Sequence, residues 1–116
     1  MDQKLQSALD FSNYRQSLSI QRRILKEKLE SRLTFGYAGG IFKIDQTLLN
    51  FVELLIKNGR TSSVPLIDSN GNPIMIDDLN KFKDEIFDRY FTSTNEYIDA
   101  FNQLKKSRTV EKLLDI

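Results

Sequence analysis

Apolar residues recur at helical spacing through the first third of the chain. Leu18, Leu25, Leu29 and Leu33 lie seven, four and four residues apart, and Phe11 and Tyr14 precede them at the same period. That spacing gathers the side chains on one face of a helix. No Gly or Pro interrupts the pattern before Gly36, so it predicts a helix over 3–33. Arg23–Glu27 and Lys26–Glu30 place opposite charges one turn apart, each pair contributing roughly 0.2–0.5 kcal/mol. Gln21 and Lys28 spoil a strict heptad, which argues against a long regular coiled coil.

Gly36, Gly39 and Gly40 are expected to end this helix, since glycine reaches positive φ without a Cβ clash. Ile41–Ile44 follows as a short strand, and Asp45 is placed to cap the next helix. Over 46–57 only Gln46, Asn50, Glu53 and Lys57 form a polar strip; Leu48, Leu49, Phe51, Val52, Leu54, Leu55 and Ile56 cover the rest. A helix apolar over most of its circumference is expected to be buried on two or more sides, so this segment reads as the core helix. Asn58-Gly59 supplies its stop.

The runs Val64–Ile67 and Pro73–Ile76 flank Asp68-Ser69-Asn70-Gly71-Asn72, a turn-forming sequence, and predict a β-hairpin. Pro65 and Pro73 lack donors and suit strand ends or an edge. Ile41–Ile44 is a candidate third strand. Asp77 or Asp78 then caps a last helix over about 78–106, with the stripe Leu79, Phe82, Ile86, Tyr90, Tyr97, Phe101 and Leu104. Thr92–Asn95 is a poor helix-forming stretch within it, and 109–115 reads as a short helical tail. The fold class expected is α+β, mostly helical: long terminal amphipathic helices around a short central helix and a small antiparallel sheet. At 116 residues the chain suits a single domain, 1–116.

Composition narrows the chemistry. The chain has no Cys and no His, which removes thiolate chemistry, disulfides, and the commonest general base and metal ligand. No catalytic residue, metal ligand, cofactor or small-molecule substrate is identified. Asp68 with Asp77 and Asp78 makes an acidic cluster, and Asp68–Asn72 resembles part of a calcium loop. Its twelfth position is Leu79 rather than the bidentate Glu such a loop needs, so turn and capping roles are the better reading. Gly36–Gly40 lacks the preceding strand and the Gly-Lys-Ser/Thr sequence of a phosphate loop.

Charge is unevenly spread. Residues 1–35 carry seven bases against four acids, and 65–102 carry eight acids against three bases. Such asymmetry favours helix pairing within a chain or between chains. A domain this small has a shallow core, and both end helices cannot hide their apolar sides in it. The first functional expectation is therefore a non-enzymatic structural or adaptor protein, a homo-oligomer or a binder of another protein, with an interface built from Phe11, Tyr14, Leu18, Leu25, Leu29, Tyr90, Tyr97, Phe101 and Leu104. The second is a nucleic-acid accessory protein using Arg15, Arg22, Arg23, Lys26, Lys105, Lys106 and Arg108. The polar start and the absence of a long apolar run imply no membrane span and a cytoplasmic or intracellular place. In its overall cast, a short Lys/Asn/Ile-rich helical chain without Cys, the sequence loosely resembles small structural or accessory proteins of tailed phages. That resemblance, which spans the chain but rests on no specific motif, would imply the host cytoplasm or the virion.

Overall fold

A computed structural model describes the backbone of residues 3–114 and the side chains of residues 3–106. The fold is mostly helical α+β. It runs α1 (Gln3–Arg32), β1 (Thr34–Tyr37), β2 (Gly40–Lys43), α2 (Gln46–Lys57), β3 (Ser62–Ile67), β4 (Pro73–Asp78) and α3 (Leu79–Leu114). The strands form two separate antiparallel pairs, β1 with β2 and β3 with β4. The single sheet expected over 41–76 is thus two, and Ile41–Ile44 pairs with a strand that periodicity did not announce.

The glycine cluster accounts for the difference. Ala38 and Gly39 both have positive φ, 51° and 87°, and they join Tyr37 to Gly40 as the closing pair of a hairpin. Two central residues of positive φ make the tight turn whose twist suits antiparallel strands. Gly36–Gly40 therefore folds the chain into a hairpin rather than merely ending α1. The helix stops just before it: the Thr34 hydroxyl donates to the Glu30 carbonyl at 2.9 Å. The Ile44 amide donates to the Leu33 carbonyl at 2.7 Å.

α2 has explicit signals at both ends. The Asp45 carboxylate accepts the Leu48 amide at 2.8 Å, the usual capping bond. At the other end Gly59, with φ of 79°, lets its own amide reach Ile56 and the Arg60 amide reach Leu55, at 3.0 and 2.9 Å. These two bonds are the Schellman pattern. The expectation that α2 would be buried on several sides is not met. Leu49 and Val52 are buried, but Phe51 is 49% and Leu54 57% exposed. The two hairpins and α3 supply enough apolar surface to cover one face of α2, and among the described residues no element covers the other.

In the second hairpin, Val64 pairs with Ile76, Leu66 with Ile74 and Ile67 with Pro73. The Asp68 amide donates to the Asn72 carbonyl at 2.9 Å, which fixes the alternation of bonded and non-bonded pairs along the ladder. By that alternation Pro65 and Pro73 occupy non-bonded positions, where an amide would point away from the partner strand. The prolines spare the ladder and remove donors from both outer edges.

α3 continues beyond the expected end at 106, taking in the 109–115 tail as far as Leu114. The Asp78 carboxylate accepts the Lys81 amide at its start, at 3.2 Å. The Thr/Ser/Asn stretch stays helical, with the Thr94 hydroxyl donating to the Tyr90 carbonyl at 2.7 Å, a local bond open to threonine inside a helix.

By its contacts the chain divides into two compact units, Met1–Lys28 with Glu96–Ile116, and Leu29–Asn95. The first is formed by parts of α1 and α3 alone and is called here the helical unit. The second, the mixed unit, holds both hairpins, α2 and the inner turns of α1 and α3. Its core joins Leu33, Phe35, Phe42, Ile44, Leu49, Val52, Val64, Leu66, Ile76, Leu79, Phe82 and Ile86. Phe82, fully buried, is the hub: the rings of Tyr37, Phe42 and Phe35 lie 5.0, 5.2 and 6.1 Å from it. The Arg89 guanidinium covers the Phe35 ring at 4.7 Å.

Candidate functional site

The helical unit carries most of the residues expected at an interface. Leu18 is buried at 8% exposure, and Phe11 is 53% exposed. Tyr14, Leu25, Tyr97, Phe101 and Leu104 lie between, half-buried. A groove of about 350 Å³ is lined by Gln21, Ile24 and Leu25 from α1 and by Ala100, Gln103 and Leu104 from α3. The two remaining interface candidates, Leu29 and Tyr90, belong to the mixed unit, where they pack against its core. The sequence stripe is one row on each helix, but the fold assigns its two ends to different units.

A second row of apolar residues went unnoticed in the sequence. Leu5, Leu9, Ile20 and Ile24 are 55%, 50%, 47% and 52% exposed, in a row centred opposite Leu18 at 3.6 residues per turn, with Ile24 at the edge of the groove that Leu25 also lines. The signal was present as helical spacing, but Asn13 and Gln16 interrupt it and the leucine stripe opposite is stronger. The mixed unit also shows apolar side chains to solvent. Ile67 and Met75, 67% and 54% exposed, lie on the outer face of the second hairpin beside the exposed Pro65 and Pro73.

The basic candidates sit on exposed turns. Arg15, Arg22 and Lys26 fall on one side of α1 and are exposed, as are Arg23, Lys105 and Lys106. Arg23 pairs with Glu27 at 3.7 Å, Arg15 lies 5.9 Å from the Phe11 ring and Lys105 lies 5.1 Å from the Phe101 ring. Arg108 lies outside the residues whose side chains are described.

The acidic turn is a structural junction. Asp68 is 7% exposed, and its carboxylate accepts the amides of Ile41, Asn70 and Asn72 at 3.0, 3.0 and 2.8 Å. Ser69 answers with its amide and hydroxyl, both donating to the Ile41 carbonyl, at 2.8 and 2.6 Å. One loop of the second hairpin thereby engages both backbone groups of Ile41 in the first. The Ile41 amide, then that of Asn72, lowers the Asp68 carboxyl below its ordinary range; burial opposes them and the Asn70 amide adds to them. Asp78 is occupied as a cap and Asp77 is exposed. Among the described residues no three acidic groups converge as a metal site would require.

The mixed unit also has an open polar groove of about 520 Å³, lined by Ser31, Arg32, Thr34, Glu85, Asp88, Arg89, Thr92 and Ser93. Two cations and two anions balance within it. Arg89 is already engaged with the Phe35 ring and with Glu85 at 3.4 Å, so the groove presents paired charge.

No helix among the described residues is long and apolar enough to cross a membrane. Comparison of the chain with family models, characterised proteins and solved structures finds no match.

Proposed function

We propose that this protein is a non-enzymatic structural or adaptor protein that works by binding protein, a second copy or a different chain, through its helical unit. The supporting observation is the state of that unit's apolar side chains. Of its described residues Leu18 alone is a buried hydrophobe, while Phe11, Ile20, Ile24 and Ile98 remain about half exposed. Two helices offer each other one face apiece, and rows of apolar side chains left in water gain by further burial. Exposed apolar rows of this kind mark association surfaces more often than catalytic ones.

Light scattering across concentration tests the reading. Particle mass is expected to rise above that of one chain as concentration increases, and to change little with salt because the contact is apolar. A chain that stays single at millimolar concentration, and forms no complex with any defined protein partner, would sink it.

The exposed row Arg15, Arg22 and Lys26 favours a second reading, in which α1 contacts the phosphate backbone of a nucleic acid. That reading requires affinity that falls steeply with salt. Titration of a labelled duplex and a labelled single strand at two salt concentrations separates the two.

A further inference from the structure

The outer row of α1 is the same read from either end. Leu5, Leu9, Asn13, Gln16, Ile20 and Ile24 are spaced four, four, three, four and four residues apart. Their order is apolar, apolar, carboxamide, carboxamide, apolar, apolar, and all six are exposed. We infer that α1 pairs with α1 of a second copy, antiparallel, about a two-fold axis midway between Tyr14 and Arg15. This rests on the association proposed above and names its surface, partner and direction.

A two-fold contact must be self-complementary: if residue i meets residue j, then j meets i. An antiparallel arrangement on this axis sets Leu5 against Ile24, Leu9 against Ile20 and Asn13 against Gln16, each twice. Every apolar residue then meets an apolar one. Each carboxamide has a donor and an acceptor, so the Asn13–Gln16 pairs satisfy one another at the centre. A polar pair within an apolar seam fixes register, because any slip leaves it facing hydrocarbon. A parallel arrangement would set Asn13 on Asn13 and Gln16 on Gln16 as well, but would stack the same end of the basic helix against itself.

Most of the basic side chains of α1 lie off this face. Lys4, Arg15 and Arg22 lie on the opposite side of the helix at 3.6 residues per turn, so contact along the outer row does not press them together. Arg23, at the margin of the row, is paired with Glu27 on its own helix. From Leu5 to Ile24 the row covers about 28 Å at 1.5 Å per residue.

Two experiments decide it. The first replaces Leu9→Glu and Ile20→Glu together, which brings like charges face to face across the axis. Both sites are exposed, so helix content by circular dichroism is expected to stay unchanged while association weakens more than about tenfold. The second exploits a chain without cysteine. Leu9→Cys and Ile20→Cys are made as separate single variants. On this axis each position lies about 16 Å along the helix from its own copy, beyond the reach of a disulfide. Neither variant alone is expected to cross-link on mild oxidation, and their equimolar mixture is expected to do so.

A wild-type chain of single mass at millimolar concentration overturns the inference. A dimer that survives the double Glu substitution also overturns it, leaving self-association through another surface. Efficient cross-linking of either single variant means parallel pairing, and overturns it as well.

Discussion

The mixed unit finishes its own core and the helical unit does not. Twelve of the buried hydrophobic residues belong to the former, and of the described residues only Leu18 belongs to the latter. The same two helices, α1 and α3, run through both. What differs is the number of elements around them: two hairpins and α2 close the core of the mixed unit, whereas in the helical unit each helix has only the other. Burial therefore depends on what surrounds a helix at each level more than on the apolar content of its stripe. It follows that substitutions should divide by unit, those in the mixed unit acting on folding and those in the helical unit acting on association.

The largest difference is expected between Phe82→Ala and Leu18→Ala. Phe82 is fully buried against three other rings, and its truncation is expected to destabilise the protein by about 3–5 kcal/mol, a large share of the roughly 5–15 kcal/mol of a typical domain. Leu18 lies in a two-helix contact able to relax around the loss, and about 2 kcal/mol, the low end for leucine, is expected. Urea denaturation of both variants at low concentration measures this. Equal losses would mean that the helical unit has a core as tight as the other.

Next in size is Gly40→Ala. A Cβ at Gly40 would lie 2.5 Å from Ile74 Cγ1 and 3.2 Å from the Asp68 carboxylate, where the two hairpins meet. Ile74 is β-branched and half-buried, so it gives way only in part, and a loss of about 1–3 kcal/mol is expected. At Gly71, where nothing lies within 4 Å, Gly71→Asn is expected to be milder, since its positive φ of 80° suits asparagine better than other side chains. If Gly40→Ala cost no more than Gly71→Asn, the side chain of Ile74 would be giving way fully to the added Cβ.

These positions show what could be read from the sequence and what could not. Helices and the second hairpin were visible because their signals are local: apolar period, an Asp before the first turn, Asn-Gly after the last, turn residues between two short apolar runs. β1 was not. Thr34–Tyr37 is four residues long, too short for alternation to stand out, and the Ala-Gly turn carries only one of the two glycine-like residues that mark such a hairpin. Gly40 looked like one more helix breaker, because the Ile74 side chain it must accommodate lies 34 residues away in the sequence. Asp68 was legible as a turn residue, but not as a link to Ile41. In the helical unit the leucine stripe is plain in the sequence, whereas the weaker row opposite, from Leu5 to Ile24, is marked by its exposure among the described residues.

A pH dependence is expected in the mixed unit. The Asp68 carboxyl is held below its ordinary value of 3.8 in the folded state by the Ile41 and Asn72 amides first. A carboxyl so lowered contributes stability at every pH above its unfolded value. That contribution is lost as pH falls from there through the lower folded value, because the folded chain must then be protonated against its amide donors. Asp68→Asn is expected to be less stable than the wild type at neutral pH, and the gap is expected to narrow as pH drops below about 4. Urea midpoints of the two proteins, followed down through the carboxylate range, give the result. A gap that stays constant would place the role of Asp68 in shape alone.

The smallest effect contrasts two ion pairs. Lys83–Glu53 spans 2.9 Å between α3 and α2 in the mixed unit, with side chains 31% and 42% exposed. Arg23–Glu27 spans 3.7 Å along α1 in the helical unit, with side chains 68% and 66% exposed. The first joins two elements already held together by the core, so little side-chain freedom is lost in making it, and partial burial limits screening. The second must order two long side chains in open water. Double-mutant cycles are expected to give Lys83–Glu53 about 0.5–1 kcal/mol and Arg23–Glu27 about 0–0.3 kcal/mol, the first falling with added salt. If the α1 pair proved the stronger, its side chains would have to be less exposed in solution than in the single chain, and the row of α1 that ends beside Arg23 would already be covered by another molecule.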